Sequence, residues 1–244
     1  METSRILYAD ARMVALDKPA GVSLATRRDE PGAAVRRLLD EVSLAERTEW
    51  GLHAEDLLLV HRLDVGTSGL VLLARDRETH RELVAAFAER RVSKSYLALV
   101  WGHPRPPAGS WEAPLGPDRH DRRRMAVNGA GRRAITAYTT LARAAHVALL
   151  CVQPATGRTH QIRVHAAHAG HPIVGDDLYA GPRERGVRDT HLRAALSPPH
   201  TLLHAWRLHL PHTRSTPELL LEAPLPAIFT ATLAACGITL PDTG

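Results

Sequence analysis

Two short apolar runs, residues 57–60 (LLLV) and 70–74 (LVLLA), flank the tetrad Gly66-Thr67-Ser68-Gly69. Runs of that length around a turn signal predict a strand–loop–strand unit, which commits this part of the chain to a sheet. Residues 12–18, closed by Pro19-Ala20-Gly21, and residues 95–101, closed by Gly102-His103-Pro104, read as strands for the same reason. Residues 134–141 and 146–153 read as a hairpin, with further strands at 202–210 and 219–222. Asp76 is placed to cap a helix running to about Arg91, with Leu83 and Phe87 on one face at i, i+4 spacing. A second helix is predicted from residue 159 to about 169, with Gly170 as its C-cap and Pro172 beyond. A last helix starts near Pro226 and stops at Gly237. Many strands with irregularly interspersed helices point to an α+β fold rather than a regular βαβ winding.

The 244 residues suffice for one large domain or two small ones. No linker is evident, so a single domain over 1–244 is expected, with a tail at 238–244. No apolar run approaches the roughly 20 residues of a membrane span, and Met1-Glu2-Thr3-Ser4-Arg5 lacks the layout of a signal peptide. The expected location is the cytoplasm. Cys151 and Cys236 belong to no paired-cysteine motif and read as small core residues. Lys plus Arg outnumber Asp plus Glu by 31 to 26, most of the basic side chains being arginine. That excess fits a polyanionic partner. It equally fits a GC-rich genome that prefers arginine, and composition does not decide. Residues 103–133 are rich in Pro, Gly and Arg, with the run Arg119-His120-Asp121-Arg122-Arg123-Arg124. A long exposed loop or ribbon, inserted into the domain, is expected there.

The segment most informative about chemistry is His61-Arg62-Leu63-Asp64-Val65-Gly66-Thr67-Ser68-Gly69-Leu70. A carboxylate just past an apolar strand, beside an arginine and in a turn of glycines and hydroxyls, is a good way to aim a side chain out of a rigid sheet. The same spacing also describes an ordinary tight turn with a side chain bonded to its own backbone.

Residues 61–74 (HRLDVGTSGLVLLA) resemble the signature of the RluA-type RNA pseudouridine synthases. Four further stretches resemble motifs of that family in the same order: 14–22 (VALDKPAGV), 94–102 (KSYLALVWG), 156–179 (TGRTHQIRVHAAHAGHPIVGDDLY) and 203–205 (LHA). The resemblance spans nearly the whole chain. It implies an α+β catalytic fold with a mixed, mostly antiparallel central sheet, flanking helices and an active-site cleft on the sheet. It also implies isomerisation of uridine to pseudouridine in structured RNA, large-subunit rRNA or tRNA, with no metal and no organic cofactor.

Breaking the bond from ribose C1′ to uracil N1 builds positive charge at C1′, which a carboxylate stabilises or attacks. The resemblance gives that role to Asp64, the role of its basic partner to Arg163, and that of a ring stacked on uracil, relaying the C5 proton, to Tyr96. His61 and Arg62 flank Asp64, and Arg62 is expected to fill the space of the flipped nucleotide or hold its backbone. Thr67, Ser68 and Lys94 join the expected RNA contacts. So do Arg158, Thr159, His160 and Gln161, which stand at the predicted start of a helix, where anions are favoured. Arg122, Arg123 and Arg124 are expected to grip RNA electrostatically, although a solvated loop explains the run as well.

Two rivals differ in class. Four of the 15 histidines, His160, His165, His168 and His171, lie close together as a zinc hydrolase requires, yet no His-Glu-x-x-His and no cysteine accompanies them. A non-catalytic RNA-binding module needs none of Asp64, Tyr96 and Arg163. Within the family pattern, Asp17 stands where many members carry Asn. Nothing ahead of Tyr8 resembles the S4-like RNA-binding domain of many relatives, so the compact form is expected, with RNA as partner and a monomer as the simplest state.

Overall fold

The computed structural model describes residues 5–25, 30 and 32–240. The first four residues and the end of the expected tail, 241–244, lie outside the described residues. In chain order the elements are β1 (Arg5–Ala9), β2 (Met13–Lys18), α1 (Ala33–Asp40), α2 (Leu44–Glu49), β3 (Leu58–Leu59), β4 (Ser68–Ala74), α3 (Arg77–Ala88), β5 (Ser93–Trp101), β6 (Ala108–Glu112), β7 (Leu115–Pro117), β8 (Met125–Val127), β9 (Ile135–Arg143), β10 (Val147–Pro154), α4 (Gln161–His168), α5 (Thr190–Ala195), β11 (Leu203–Leu210), β12 (Leu219–Glu222) and α6 (Ala227–Ala235). This is the α+β class read from the sequence, and its strand pairs are mostly antiparallel. The chain forms two compact units, one from Met1–Lys94 and Ala205–Pro226, the other from Ser95–His204 and Ala227–Gly244.

In the first unit the strand order is β1-β2-β4-β11, with β3 also on β4 and β12 on β11. β2 and β4 run antiparallel with Met13 opposite Ala74 and Lys18 opposite Gly69. Every residue of β4 is buried. That is why it reads as a continuous apolar run instead of an alternating one. Met13, Leu70 and Leu72 pack with Leu208, Leu221 and the α3 residue Leu83. α3 begins where Asp76 accepts from Thr79 N at 2.8 Å, the cap expected from the sequence. Gly69 has φ +107°, and a Cβ there would collide with the backbone of Ala205. Only glycine fits where β4 lies against β11.

In the second unit the order is β5-β10-β9-β6. The expected hairpin is β9–β10, and β10 also pairs antiparallel with β5, with Tyr96 opposite Val152 and Trp101 opposite Val147. Ala98, Val100, Leu150 and Val152 form a core with Ile162 and Ala166 of α4, so the helix lies against this sheet. Gly170, at φ +85°, follows the end of α4 as the sequence indicated. Residues 103–133 are not one exposed loop. β6 pairs antiparallel with β9 as a strand of the sheet, and β7–β8 form a separate two-stranded ribbon whose tip carries the arginine run. Both cysteines are half-buried rather than core, and burial pushes the Cys236 thiol up from its ordinary pKa.

Candidate active site

Asp64 lies in the turn between β3 and β4, half-buried, with Arg62 exposed beside it. Its carbonyl accepts from Thr67 N at 3.1 Å, closing a tight turn. The next carbonyl, that of Val65, accepts from Gly21 N at 2.7 Å and from the ammonium of Lys18 at 3.3 Å. Lys18 is completely buried, and its Nζ also donates to Pro19 O at 2.8 Å and Val22 O at 3.0 Å. Burial pulls the Lys18 pKa down to about 8, while the negative charges of Asp64, Asp17 and Glu41 pull the other way. A buried ammonium bonded to three carbonyls therefore ties the Asp64 turn to the segment after β2.

Several residues expected to touch RNA do something else. The His61 ring stacks on Phe87 at 4.6 Å between centroids, and its Nε2 accepts from Leu72 N at 3.2 Å. Burial, with help from the Lys94 charge, lowers its pKa to about 3, which favours the neutral ring that accepts from Leu72 N. Thr67 and Ser68 are buried at the start of β4, which takes their hydroxyls off the surface. Lys94 is half-buried and its pKa is lowered, first by desolvation and then by Arg90.

In the second unit Tyr96 is a half-buried residue of β5 packed against the core that includes Ile162 and Val152. Arg163 is buried in α4 and held by Asp176, with Nε to Oδ2 at 2.7 Å and Nη2 to Oδ1 at 2.8 Å. The exposed Asp177 lies 4.0 Å away. Asp176 is itself buried and also accepts from Leu178 N at 3.1 Å and Tyr179 N at 3.2 Å. The paired role expected for Arg163 thus includes an acid not singled out from the sequence. The signal was present, because Asp176 and Tyr179 stand inside the longest motif, 156–179.

α4 starts two residues later than predicted, at Gln161, after His160 in a left-handed conformation with φ 54°. Gln161 is no RNA ligand here. Its Oε1 accepts from Thr156 Oγ1 at 2.7 Å and Arg158 N at 3.0 Å, and its Nε2 donates to Ile135 O and Thr136 Oγ1. This buried amide joins the end of β10 to β9 and builds the entry to the helix. Thr159 is exposed, Arg158 half-buried. Of the ribbon arginines, Arg122 and Arg123 are exposed, and Arg123 is held by Asp121 at 2.8 Å. Arg124 packs its guanidinium 5.1 Å from the Tyr179 ring centre.

Three of the four clustered histidines are bonded within the protein, and His168 is exposed. His165 meets Thr136 Oγ1 at 2.8 Å and Ala113 O at 3.1 Å, His160 meets the Tyr179 hydroxyl at 2.8 Å, and His171 meets Trp101 O at 3.0 Å. These bonds tie strands and turns together, and nothing in them converges on a common point.

Comparison with known proteins bears on the same residues. The family model for RNA pseudouridylate synthases matches residues 12–168, which include Asp64, Tyr96 and Arg163. The dual-specificity RNA pseudouridine synthase RluA of Escherichia coli (strain K12) is 35% identical over 90% of this chain and 92% of its own length. An uncharacterized RNA pseudouridine synthase of Mycobacterium bovis is 38% identical over 93% of this chain and 71% of its own. The ribosomal large subunit pseudouridine synthase D of Xanthomonas campestris is 39% identical over 91% of this chain and 66% of its own. Among solved structures, human RNA pseudouridylate synthase domain containing 4 superposes with a TM-score of 0.76 at 27% identity, covering 97% of this chain and 94% of that one. The motif order, the α+β fold and these matches agree, and the chain belongs to the RNA pseudouridylate synthase family.

Proposed function

We propose that this enzyme, working as one catalytic domain, converts a uridine of large-subunit rRNA or tRNA to pseudouridine, with Asp64 as its central carboxylate and without metal or organic cofactor. The observation that carries the reading is the setting of Asp64, half-buried on a turn fixed by the fully buried Lys18. A rigid backbone is what a carboxylate needs when it must meet C1′ of an extruded nucleotide within a few tenths of an ångström. The C1′–N1 bond breaks as Asp64 stabilises or captures C1′, the detached uracil turns, and C5 bonds to C1′. C5 gives up its proton and N1 ends protonated, so the product is an isomer of the substrate. The Tyr96 ring stacks on the base and its hydroxyl relays the C5 proton, while the Arg163 guanidinium serves the carboxylate as a permanent positive charge.

A relative named for the ribosomal large subunit supports the rRNA reading, and one named dual-specificity supports a second RNA class, for which the family resemblance suggests tRNA. Arg62, Arg158, Thr159 and the exposed ribbon arginines are the surface groups proposed to meet the RNA. The proposed state is a cytoplasmic monomer; among the described residues no helix is long and apolar enough to cross a membrane. Tritium release from 5-tritiated uridine in rRNA and tRNA transcripts tests the reaction, and mapping the product locates the site. Asp64→Asn is expected to abolish release while leaving fold and RNA affinity nearly intact. Substantial residual release would refute the role of Asp64.

A further inference from the structure

The turn after Gly175 supports the Arg163 guanidinium from two directions. Asp176 grips it by Nε and Nη2, and the Tyr179 ring centre lies 5.1 Å from its central carbon. The same ring lies 5.1 Å from the guanidinium carbon of Arg124, at the end of the ribbon's tip loop. Arg124 Nε is buried with no hydrogen-bond partner among the described residues, so the ring face is a principal contact of that side chain. The Tyr179 hydroxyl accepts from Met125 N, the first residue of β8, at 2.9 Å. It also lies 2.8 Å from Nδ1 of His160, the left-handed residue at the head of the helix that carries Arg163. Beneath this, Met125, Val127 and Tyr179 pack on Leu115, Ala134 and the α4 residue Val164. One side chain thus touches the ribbon through its ring and its oxygen, the guanidinium through its ring, and the start of α4 through its oxygen.

We propose that Tyr179 is a positioning residue that makes the setting of Arg163 depend on the seating of the β7–β8 ribbon. An RNA that engages the ribbon arginines thereby acts on the guanidinium used in the reaction. The kinetic part of this inference rests on the roles proposed above for Arg163 and the ribbon; the physical coupling does not. Two groups that share a contact of this kind change one another's energetics, and separated groups do not. A structural role for Tyr179 alone predicts a less stable protein but no such dependence.

The test has two arms, both on the full chain. In the first, the Arg163 Nε–H resonance is assigned by its loss in Arg163→Lys and followed by NMR. Arg124→Gln is expected to move it, and the same change in a Tyr179→Leu background is expected to leave it where Tyr179→Leu put it. Tyr179→Phe, which keeps the ring and removes only the hydroxyl, is expected to give an intermediate position and serves if Tyr179→Leu does not fold. A resonance indifferent to Arg124→Gln overturns the proposal. In the second arm, tritium release from the 5-tritiated rRNA or tRNA transcript is split into kcat and KM. Arg124→Gln is expected to lower kcat about fivefold in the parent and by less than about 1.5-fold in the Tyr179→Leu background. Effects that multiply independently overturn the coupling and leave the reaction assignment standing. That assignment fails separately, through activity that survives Asp64→Asn.

Discussion

Replacing Asp176 by asparagine tests how much of the fold depends on the buried pair with Arg163. Their side chains are 0% and 7% exposed, and the carboxylate receives two guanidinium nitrogens and two backbone N–H groups. An asparagine oxygen in the place of Oδ1 still accepts from Leu178 N, Tyr179 N and Arg163 Nη2. The new amide nitrogen faces Arg163 Nε, so donor meets donor and the buried cation loses the negative charge that grips it, with Asp177 4.0 Å away. Removing one partner of a buried pair costs roughly 3–5 kcal/mol. For a chain of this size each kcal/mol lowers the melting temperature by about 2–4 °C, giving a fall of about 6–20 °C. Urea unfolding followed by far-UV circular dichroism, with a thermal melt, measures it. The double change Arg163→Met/Asp176→Leu removes both charges and is expected to recover most of the loss, because an apolar pair of similar volume pays no desolvation cost. Asp176→Asn within about 1 kcal/mol of the parent, or a double variant no better than the single, would refute the reasoning.

His61 predicts acid sensitivity. Its folded pKa, about 3, lies below the ordinary 6.5, so the unfolded chain binds the proton first and stability falls as pH drops from 6.5 towards 3. The full shift corresponds to about 5 kcal/mol, and His61→Gln is expected to flatten urea midpoints between pH 7 and 5; equal slopes in the two proteins would contradict it. Lys18 acts with the same sign in an alkaline window. Its folded pKa of about 8 lies below 10.5, so the folded chain binds fewer protons between these values and stability rises with pH there, by about 3 kcal/mol in full. Lys18→Met is expected to lack that rise, and urea melts at pH 8 and 10 compare the two. Replacing Arg122, Arg123 and Arg124 by Gln is expected to weaken RNA binding and reduce the slope of log K against log salt by about 1–2, since Asp121 already engages Arg123. A slope that does not change removes the ribbon from the RNA interface.

Much of the fold was legible because its signals are local. The run 70–74 is apolar whichever neighbour β4 finds, Asp76 caps α3 through a bond three residues away, and Gly170 ends α4. In the arginine-rich stretch the ribbon was legible but the sheet strand was not, because polar composition hides short edge strands: β6 has mostly exposed side chains, yet its backbone pairs with β9. The candidate site divides the same way. Asp64 could be named because its turn lies between two recognisable strands and matches a family motif. His61 and Gln161 look like surface ligands in the sequence, and only their tertiary partners, Phe87 with Leu72 and Thr136 with Ile135, show that they are structural. The link between Arg163 and Asp176 spans 13 residues of turn and helix, and no periodicity reports it.

Swapping glycine for alanine is a usual way to stiffen an enzyme against heat, since it removes freedom from the unfolded chain. At residue 69 that route is closed twice, by a positive φ and by the Ala205 backbone where a methyl group would go. Gly129 and Gly186 offer open space without a positive φ, so thermostabilising substitutions belong there. The seam five residues after Asp64 has to be inherited unchanged by any redesigned version of the protein.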